Sequence, residues 1–197
     1  MIVIALGANS TGRHGPPGAT LQWAASRLGE GPLRLRALSG LWRSAPYGLR
    51  AQPSFLNAVA VLETELGARD LLAHLALLER RAGRLRGRRW GPRALDLDLI
   101  DHDGLVRRPA GMGRLGAGAA VHAWQARGIV LPHPDMAGRA FVLAPLAEVA
   151  PGWRHPVSGR TAAQMLACLD ERQRAACRPL RGRPGGHHIL PEGGRSD

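Results

Sequence analysis

The stretch Arg93-Ala94-Leu95-Asp96-Leu97-Asp98-Leu99-Ile100 constrains this chain more than any other. Its alternation of apolar and charged residues has the two-residue period of a strand, in which alternate side chains share a face. Leu95, Leu97 and Leu99 would then enter a core, and Asp96 and Asp98 would project together from the other face. Two carboxylates held about 7 Å apart along a rigid strand repel each other unless a cation lies between them. Hard oxygen donors on one face suit Mg²⁺, which keeps several waters and takes its remaining ligands from substrate phosphates. By the same alternation, Asp101 falls on the opposite face and does not join the pair. An amphipathic edge strand with a solvated acidic face would carry the same pattern, so the flanking sequence decides between the two readings.

That flank is basic. Arg80, Arg81, Arg84, Arg86, Arg88, Arg89 and Arg93 crowd into one short segment with no acid among them. Such a segment repels itself unless an anion sits there, and phosphate is the anion that guanidinium forks match best. The total charge says less. All 27 basic residues are Arg, and a formal net charge of +12 built that way reads as a bias of the coding sequence rather than as a nucleic-acid surface. Cations for a polyphosphate beside carboxylates for its metal are the two halves of a phosphoryl-transfer site. Trp90, in the loop Arg89-Trp90-Gly91-Pro92, is placed to close over a flat ligand as a lid.

Elsewhere, apolar periodicity predicts strands at 2–6, 33–42, 55–66 and 94–100, and helices at 19–28, 68–82, 140–149 and 161–169. The strands are short and amphipathic, which favours an α+β fold with a mainly antiparallel sheet flanked by helices. The 197 residues suit one domain over 1–171, with a Gly/Ala-rich insertion at about 107–128 and a mobile Arg/Gly/Pro-rich tail over 172–197. Cys168 and Cys177 form neither a disulfide framework nor a metal motif, and no apolar run is long enough for a membrane span. The start, MIVIALGANS, reads as a strand rather than a signal peptide, so a cytoplasmic chain without a membrane partner is expected. Gly111-Met112-Gly113-Arg114-Leu115-Gly116 matches a dinucleotide fingerprint, but Pro109 spoils the strand that must precede it.

Residues 89–99, Arg-Trp-Gly-Pro-Arg-Ala-Leu-Asp-Leu-Asp-Leu, closely resemble the signature of the 6-hydroxymethyl-7,8-dihydropterin pyrophosphokinase family. The likeness continues in Gly7-Ala8-Asn9, in Ser44-Ala45-Pro46-Tyr47-Gly48, in Gln52-Pro53-Ser54-Phe55-Leu56-Asn57-Ala58, and in Leu131-Pro132-His133-Pro134-Asp135-Met136 followed by Arg139 and Phe141. The resemblance implies a ferredoxin-like core and transfer of pyrophosphate from ATP to the pterin's hydroxymethyl oxygen, leaving AMP, in folate biosynthesis. It implies two Mg²⁺ on Asp96 and Asp98, and phosphate-holding roles for Arg84 and Arg93, with Arg86 assisting. Glu79, His133 and Arg139 would line the ATP side, and Trp90 would belong to the lid. Asn57 would pair with the pterin's amide edge, and Phe55 and Phe141 would stack on its faces. Ser44, Ala45, Tyr47 and Asp96 would complete the pterin site.

The chain departs from the family's usual form in three places: a lid one residue shorter between Gly83 and Trp90, Pro134 after the histidine, and Ala94 before Leu95. The insertion displaces a region that helps bind ATP, for which Arg127 is the sole candidate equivalent. ATP and the pterin are the expected partners of a monomer that binds no nucleic acid. The competing readings are an RNA-binding ferredoxin-like module and an inactive relative of the pyrophosphokinases. The first lacks paired surface aromatics, since aromatic residues make up only 4% of the chain. The second is disfavoured by retention of both carboxylates, the tryptophan and two key arginines.

Overall fold

The computed structural model describes residues 1–46, 52–84, 91–108 and 128–180. In chain order the elements are β1 (Ile2–Ala8), α1 (Pro17–Arg27), β2 (Arg34–Leu38), β3 (Trp42–Ser44), β4 (Phe55–Glu63), α2 (Ala68–Arg81) and β5 (Asp96–His102). A 3-10 turn at Met136–Gly138 leads into α3 (Ala140–Val149), followed by α4 (Ala162–Ala167), α5 (Glu171–Ala175) and β6 (Cys177–Pro179). The strands form one sheet in the order β5-β1-β4-β3-β6, with β2 also on β4, and every pairing is antiparallel. Helix α1 carries the chain from β1 past β4 to β2 and β3, and α2 carries it from β4 past β1 to β5. These two interleaved split crossovers are the connectivity of a ferredoxin-like core.

Each face of the sheet has its own apolar layer. On one, Leu21 and Ala24 of α1, Leu28 just after it, and Leu71, Leu75 and Leu78 of α2 pack on Ile2, Ile4, Leu6, Leu97 and Leu99. The i, i+4, i+7 spacing in α2 gives that helix an apolar stripe towards this layer. On the other, Val142, Leu143 and Leu146 of α3 and Met165 of α4 pack on Val3, Val59, Val61 and Ile100. Central strand β1 is covered on both sides, which explains why it reads as an unbroken apolar run.

Three expectations change. The stretch 33–42 is two strands, because Ser39 turns its hydroxyl to accept from the Val59 amide at 2.9 Å and Gly40 breaks the ladder. Strand β5 starts at Asp96 and carries a bulge against β1 between Val3 and Ile4, which resets the alternation. Asp101 therefore lies on the Asp98 side of the sheet after all. Its carboxylate is taken up there by Trp153 Nε1 at 2.9 Å and the Gly104 amide at 3.1 Å. The expected tail begins too early at 172. A capping box between Asp170 and Gln173 starts α5, and buried Cys177 pairs with Ser44 as β6 extends the sheet.

Residues 109–127 and 181–197 lie outside the described residues. The insertion's flanks are nonetheless joined, because Arg107 and Leu131 exchange both backbone hydrogen bonds at 2.9 Å. Among the described residues no helix is long and apolar enough to cross a membrane. Leu75 is 1% exposed at the centre of the α1/α2 layer. Leu75→Ala is expected to cost about 3 kcal/mol of unfolding free energy in a urea titration, through lost transfer energy plus the cavity left behind.

Candidate active site

The site begins where β1 runs out of side chains. On the α3 side of the sheet β1 presents Val3, then Ala5, then Gly7, so a packed core tapers into a cavity. Register places Gly7 between Asn57 on β4 and Asp96 on β5, and Ala5 beside Asp98. The missing Gly7 side chain is the cavity floor. A Cβ built there would stand 3.6 Å from Asn57 Oδ1, 3.8 Å from Phe55 Cδ1 and 4.0 Å from Asp96 Cβ. Ser44 and Ala45 form one wall with Phe55 and Asn57, and Arg139 and Phe141, at the start of α3, form the other.

Asn57 is buried, and its Nδ2 donates to Trp42 O at 3.2 Å and to Ser44 Oγ at 3.0 Å. These two bonds fix the amide so that Oδ1 faces Gly7. Asn57 thus satisfies a backbone group and presents an acceptor to the cavity at once. Asn9 explains the Gly-Ala-Asn turn. Its Oδ1 accepts from the Arg93 amide at 2.7 Å, and its Nδ2 donates to Gln52 Oε1 at 3.2 Å and Pro53 O at 3.1 Å. The end of β1 thereby anchors the segments bearing Arg93 and Gln52, and both residues line the cavity.

Asp96 and Asp98 share a face, as their spacing predicts. The plain edge-strand reading is half right, since β5 is an edge strand, but its acidic face is not left to solvent. Asp96 Oδ1 is held by Arg93 Nη1 at 2.5 Å and Arg84 Nη1 at 2.9 Å. Arg84 Nη1 also contacts Glu79 Oε1, which accepts from the Leu97 amide at 2.8 Å. Asp98 Oδ2 lies 3.4 Å from Arg139 Nη1, whose Nη2 donates to Asp135 Oδ2 at 3.0 Å. Desolvation pushes the Glu79 carboxyl up to about 7 against the pull of Arg84, with Asp96 and Asp98 adding to the rise. His133, between two prolines, is buried. Its amide donates to Ile100 O at 2.9 Å, its ring is buried with Nε2 4.0 Å from Asp98, and burial holds its pKa below the usual histidine value.

A second cavity opens on the far side of the same carboxylates. It shares Arg93, Asp96 and Asp98 with the first, and adds Glu79 and Arg84. Its apolar lining comes from Leu72, Ala73 and Ala76 of α2 with Leu97 and Ile129. Arg139, expected on the ATP side, lines the first cavity instead. Tyr47, Arg86, Trp90 and Arg127 lie outside the described residues. Sequence reasoning missed Gly7, Gln52, Arg69, Leu72, Ala76 and Ile129 as lining residues. The i, i+4 pair Leu72 and Ala76, a second apolar stripe on α2, was a signal for two of them.

Among the described residues no group of three or more His, Cys, Asp or Glu side chains gathers to hold a metal. A protein-built zinc site is therefore not found there. A pair of half-buried carboxylates fits Mg²⁺, which completes its shell with water and substrate oxygens.

Two consequences are measurable. The Glu79 carboxyl binds its proton more tightly folded than unfolded, so its contribution to stability is present at low pH and is lost as pH rises from about 4.5 towards 7. Glu79→Gln is expected to flatten that slope in urea titrations across this range. Gly7→Ala adds only ordinary contacts to the protein but fills the cavity floor. It is expected to leave the melting temperature close to wild type and to weaken a ligand of the first cavity about tenfold or more.

Comparison with known proteins gives a consistent result. A profile of the 7,8-dihydro-6-hydroxymethylpterin-pyrophosphokinase (HPPK) family matches residues 3–151. The chain is 40% identical over 167 residues to a 2-amino-4-hydroxy-6-hydroxymethyldihydropteridine pyrophosphokinase of Pseudomonas aeruginosa, covering 84% of this chain and 90% of the relative. It is 37% identical over 169 residues to the protein of the same description from Synechocystis sp., covering 85% of this chain and 75% of that one. Its fold resembles the crystal structure of Plasmodium falciparum HPPK-DHPS with pteroate, with a TM-score of 0.60 at 12% identity. That match covers 84% of this chain and 43% of the longer Plasmodium chain.

Proposed function

The chain belongs to the 7,8-dihydro-6-hydroxymethylpterin-pyrophosphokinase family, and from that membership we propose how its own residues divide the reaction. The enzyme moves pyrophosphate from ATP to the hydroxymethyl oxygen of the dihydropterin, leaving AMP, as a step of folate biosynthesis. The observation that supports the division of labour is that two cavities meet at one wall made of Arg93, Asp96 and Asp98.

We assign the first cavity to the pterin. A planar heterocycle with a polar edge needs flat apolar partners and a directed amide. Phe55 and Phe141 supply the rings, and Asn57 Oδ1 the acceptor for the pterin's N–H edge. Gly7 leaves the room between them, and Ser44 and Ala45 close the wall, with Tyr47 added by the family resemblance. The second cavity takes ATP. Leu72, Ala76, Leu97 and Ile129 receive the base, while Glu79, Arg84 and Arg93 lead the triphosphate towards the shared wall. Arg93 meets Asp96 through one nitrogen, and a guanidinium fork with five N–H donors can meet phosphate oxygens as well. Arg139, steadied by Asp135, faces the same junction from the pterin side, with His133 behind Asp98. The resemblance adds Arg86 to the phosphates and Trp90 to the lid.

Asp96 and Asp98 would hold the Mg²⁺ ions, two in number by the family resemblance. When bound, the metal neutralises the triphosphate and orients it for in-line displacement at the β-phosphorus. The protein's own work is positioning. It stacks the pterin, keeps its hydroxymethyl group at the carboxylate wall and sets guanidinium groups against the charge that moves onto AMP. An RNA-binding module would need an open sheet face for base stacking, and here α1 and α2 cover one face while α3 and α4 cover the other.

Incubation with ATP, Mg²⁺ and 6-hydroxymethyl-7,8-dihydropterin is expected to release AMP in step with pterin diphosphate. Asp96→Asn and Asp98→Asn are each expected to lower turnover about a hundredfold or more while far-ultraviolet circular dichroism is unchanged. Mg²⁺ titration followed by ATP-analogue binding should shift to higher concentration in both variants. Full turnover in both variants would remove the metal assignment.

A further inference from the structure

Glu148 lies on the last turn of α3, outside both cavities. Its two carboxylate oxygens are both engaged by one short stretch of chain. Oε1 accepts from the Gly40 amide at 2.8 Å, and Oε2 accepts from Trp42 Nε1 at 2.8 Å. Gly40 sits in the break between β2 and β3, where the ladder supplies its N–H with no strand partner. A Cβ at that position would stand 3.3 Å from Oε1, so the carboxylate fills the room that a side chain would need. Trp42 pairs in register with Asn57, and its carbonyl accepts from Asn57 Nδ2.

The carboxylate therefore joins the two walls of the first cavity from behind. At its beginning α3 carries Arg139 and Phe141 into one wall. At its end, roughly 11 Å along the axis at helical rise, it grips the strand that orients Asn57 in the other. Strand β3 is three residues long, so few ladder bonds of its own resist a displacement. We propose that Glu148 is a positioning residue for pterin recognition, holding Trp42 so that Asn57 presents its amide in one direction at a fixed distance from Phe141. This rests on the assignment of Asn57 to the pterin, and the test separates the two.

The test compares the full-length wild-type chain with Asn57→Ala, Glu148→Ala, Glu148→Gln, Trp42→Phe and the Glu148→Ala/Trp42→Phe double variant. Pterin affinity is read by fluorescence titration, and KM for each substrate and kcat are read from AMP release. Glu148→Ala is expected to weaken pterin binding about five- to tenfold with the ATP KM within about twofold of wild type. Glu148→Gln, which keeps one acceptor oxygen, should recover part of that loss. Trp42→Phe, which keeps the ring and the carbonyl but loses the indole N–H, should weaken pterin binding in the same sense. The double variant should fall short of the product of the two single effects. If Asn57→Ala leaves pterin affinity unchanged, the pterin assignment fails and the inference falls with it. If Asn57→Ala weakens the pterin while Glu148→Ala spares it, weakens both substrates equally or adds independently to Trp42→Phe, the inference alone is overturned.

Discussion

Asp96 and Asp98 stand side by side on a stiff strand, and the rest of the site is arranged around the cost of keeping them there. Their charges sit half-buried, where the effective dielectric is well below that of water and repulsion grows accordingly. The described arginines answer unequally. Asp96 takes two close guanidinium contacts, from Arg84 and Arg93, while Asp98 takes one longer contact from Arg139. Glu79 shares Arg84 with Asp96 and is buried more deeply, so it becomes the group that keeps its proton to near neutrality. Burial is the larger cause of that rise in pKa, and the charges of Asp96 and Asp98 add to it. On the proposed reading, a divalent cation with its own waters and phosphate ligands answers the charge of the strand pair.

How much of this was readable in the sequence follows from which interactions are local. The Asp96/Asp98 face and the α2 stripe were legible, because strand alternation and helical period are local rules that the tertiary structure did not override. The resemblance supplied Asn57, Phe55 and Phe141, which do meet in one cavity. Asp101 was misplaced because a bulge depends on the neighbouring strand, and nothing within residues 96–102 announces where β1 will slip. The early part of the tail was misread because Arg172, Arg174 and Arg178 dominate its composition. The capping box at Asp170 and the buried Cys177 are single residues that decide structure against that background. Gly7 was undervalued for a related reason. A glycine in a strand says only that a side chain is missing, and its importance here comes from Asn57 and Asp96 standing opposite it.

The same logic explains why the site lies at this end of the sheet. Along the α3 face, β1 steps from valine to alanine to glycine, and β4 from Val61 and Val59 to Asn57 and Phe55. Apolar filling stops in both strands at the same level, and β5 supplies its carboxylates at that level too. Core and cavity are consequently one continuous layer, and α3 spans both, with Val142, Leu143 and Leu146 in the core and Phe141 at the cavity. The position of α3 cannot shift to suit a ligand without disturbing the core beneath it, since interiors at this packing density transmit displacement. This rigidity suits a reaction whose catalysis is alignment rather than covalent chemistry.

The described residue at the end of the 107–128 stretch bears on the second cavity rather than the first. Arg107 and Leu131, on either side of residues 109–127, are tied by two backbone hydrogen bonds, and loop length adds only slowly to the entropic cost of closing such a bridge. After that bridge the chain runs to His133 and Arg139 along a segment pinned by the His133 amide to Ile100 O. Gly128, the last residue of that stretch, and Ile129 line the second cavity directly. On the proposed assignment of the two cavities, a substitution at Gly128 or Ile129 bears on the nucleotide's cavity, whereas the first cavity is bounded by the sheet and the start of α3.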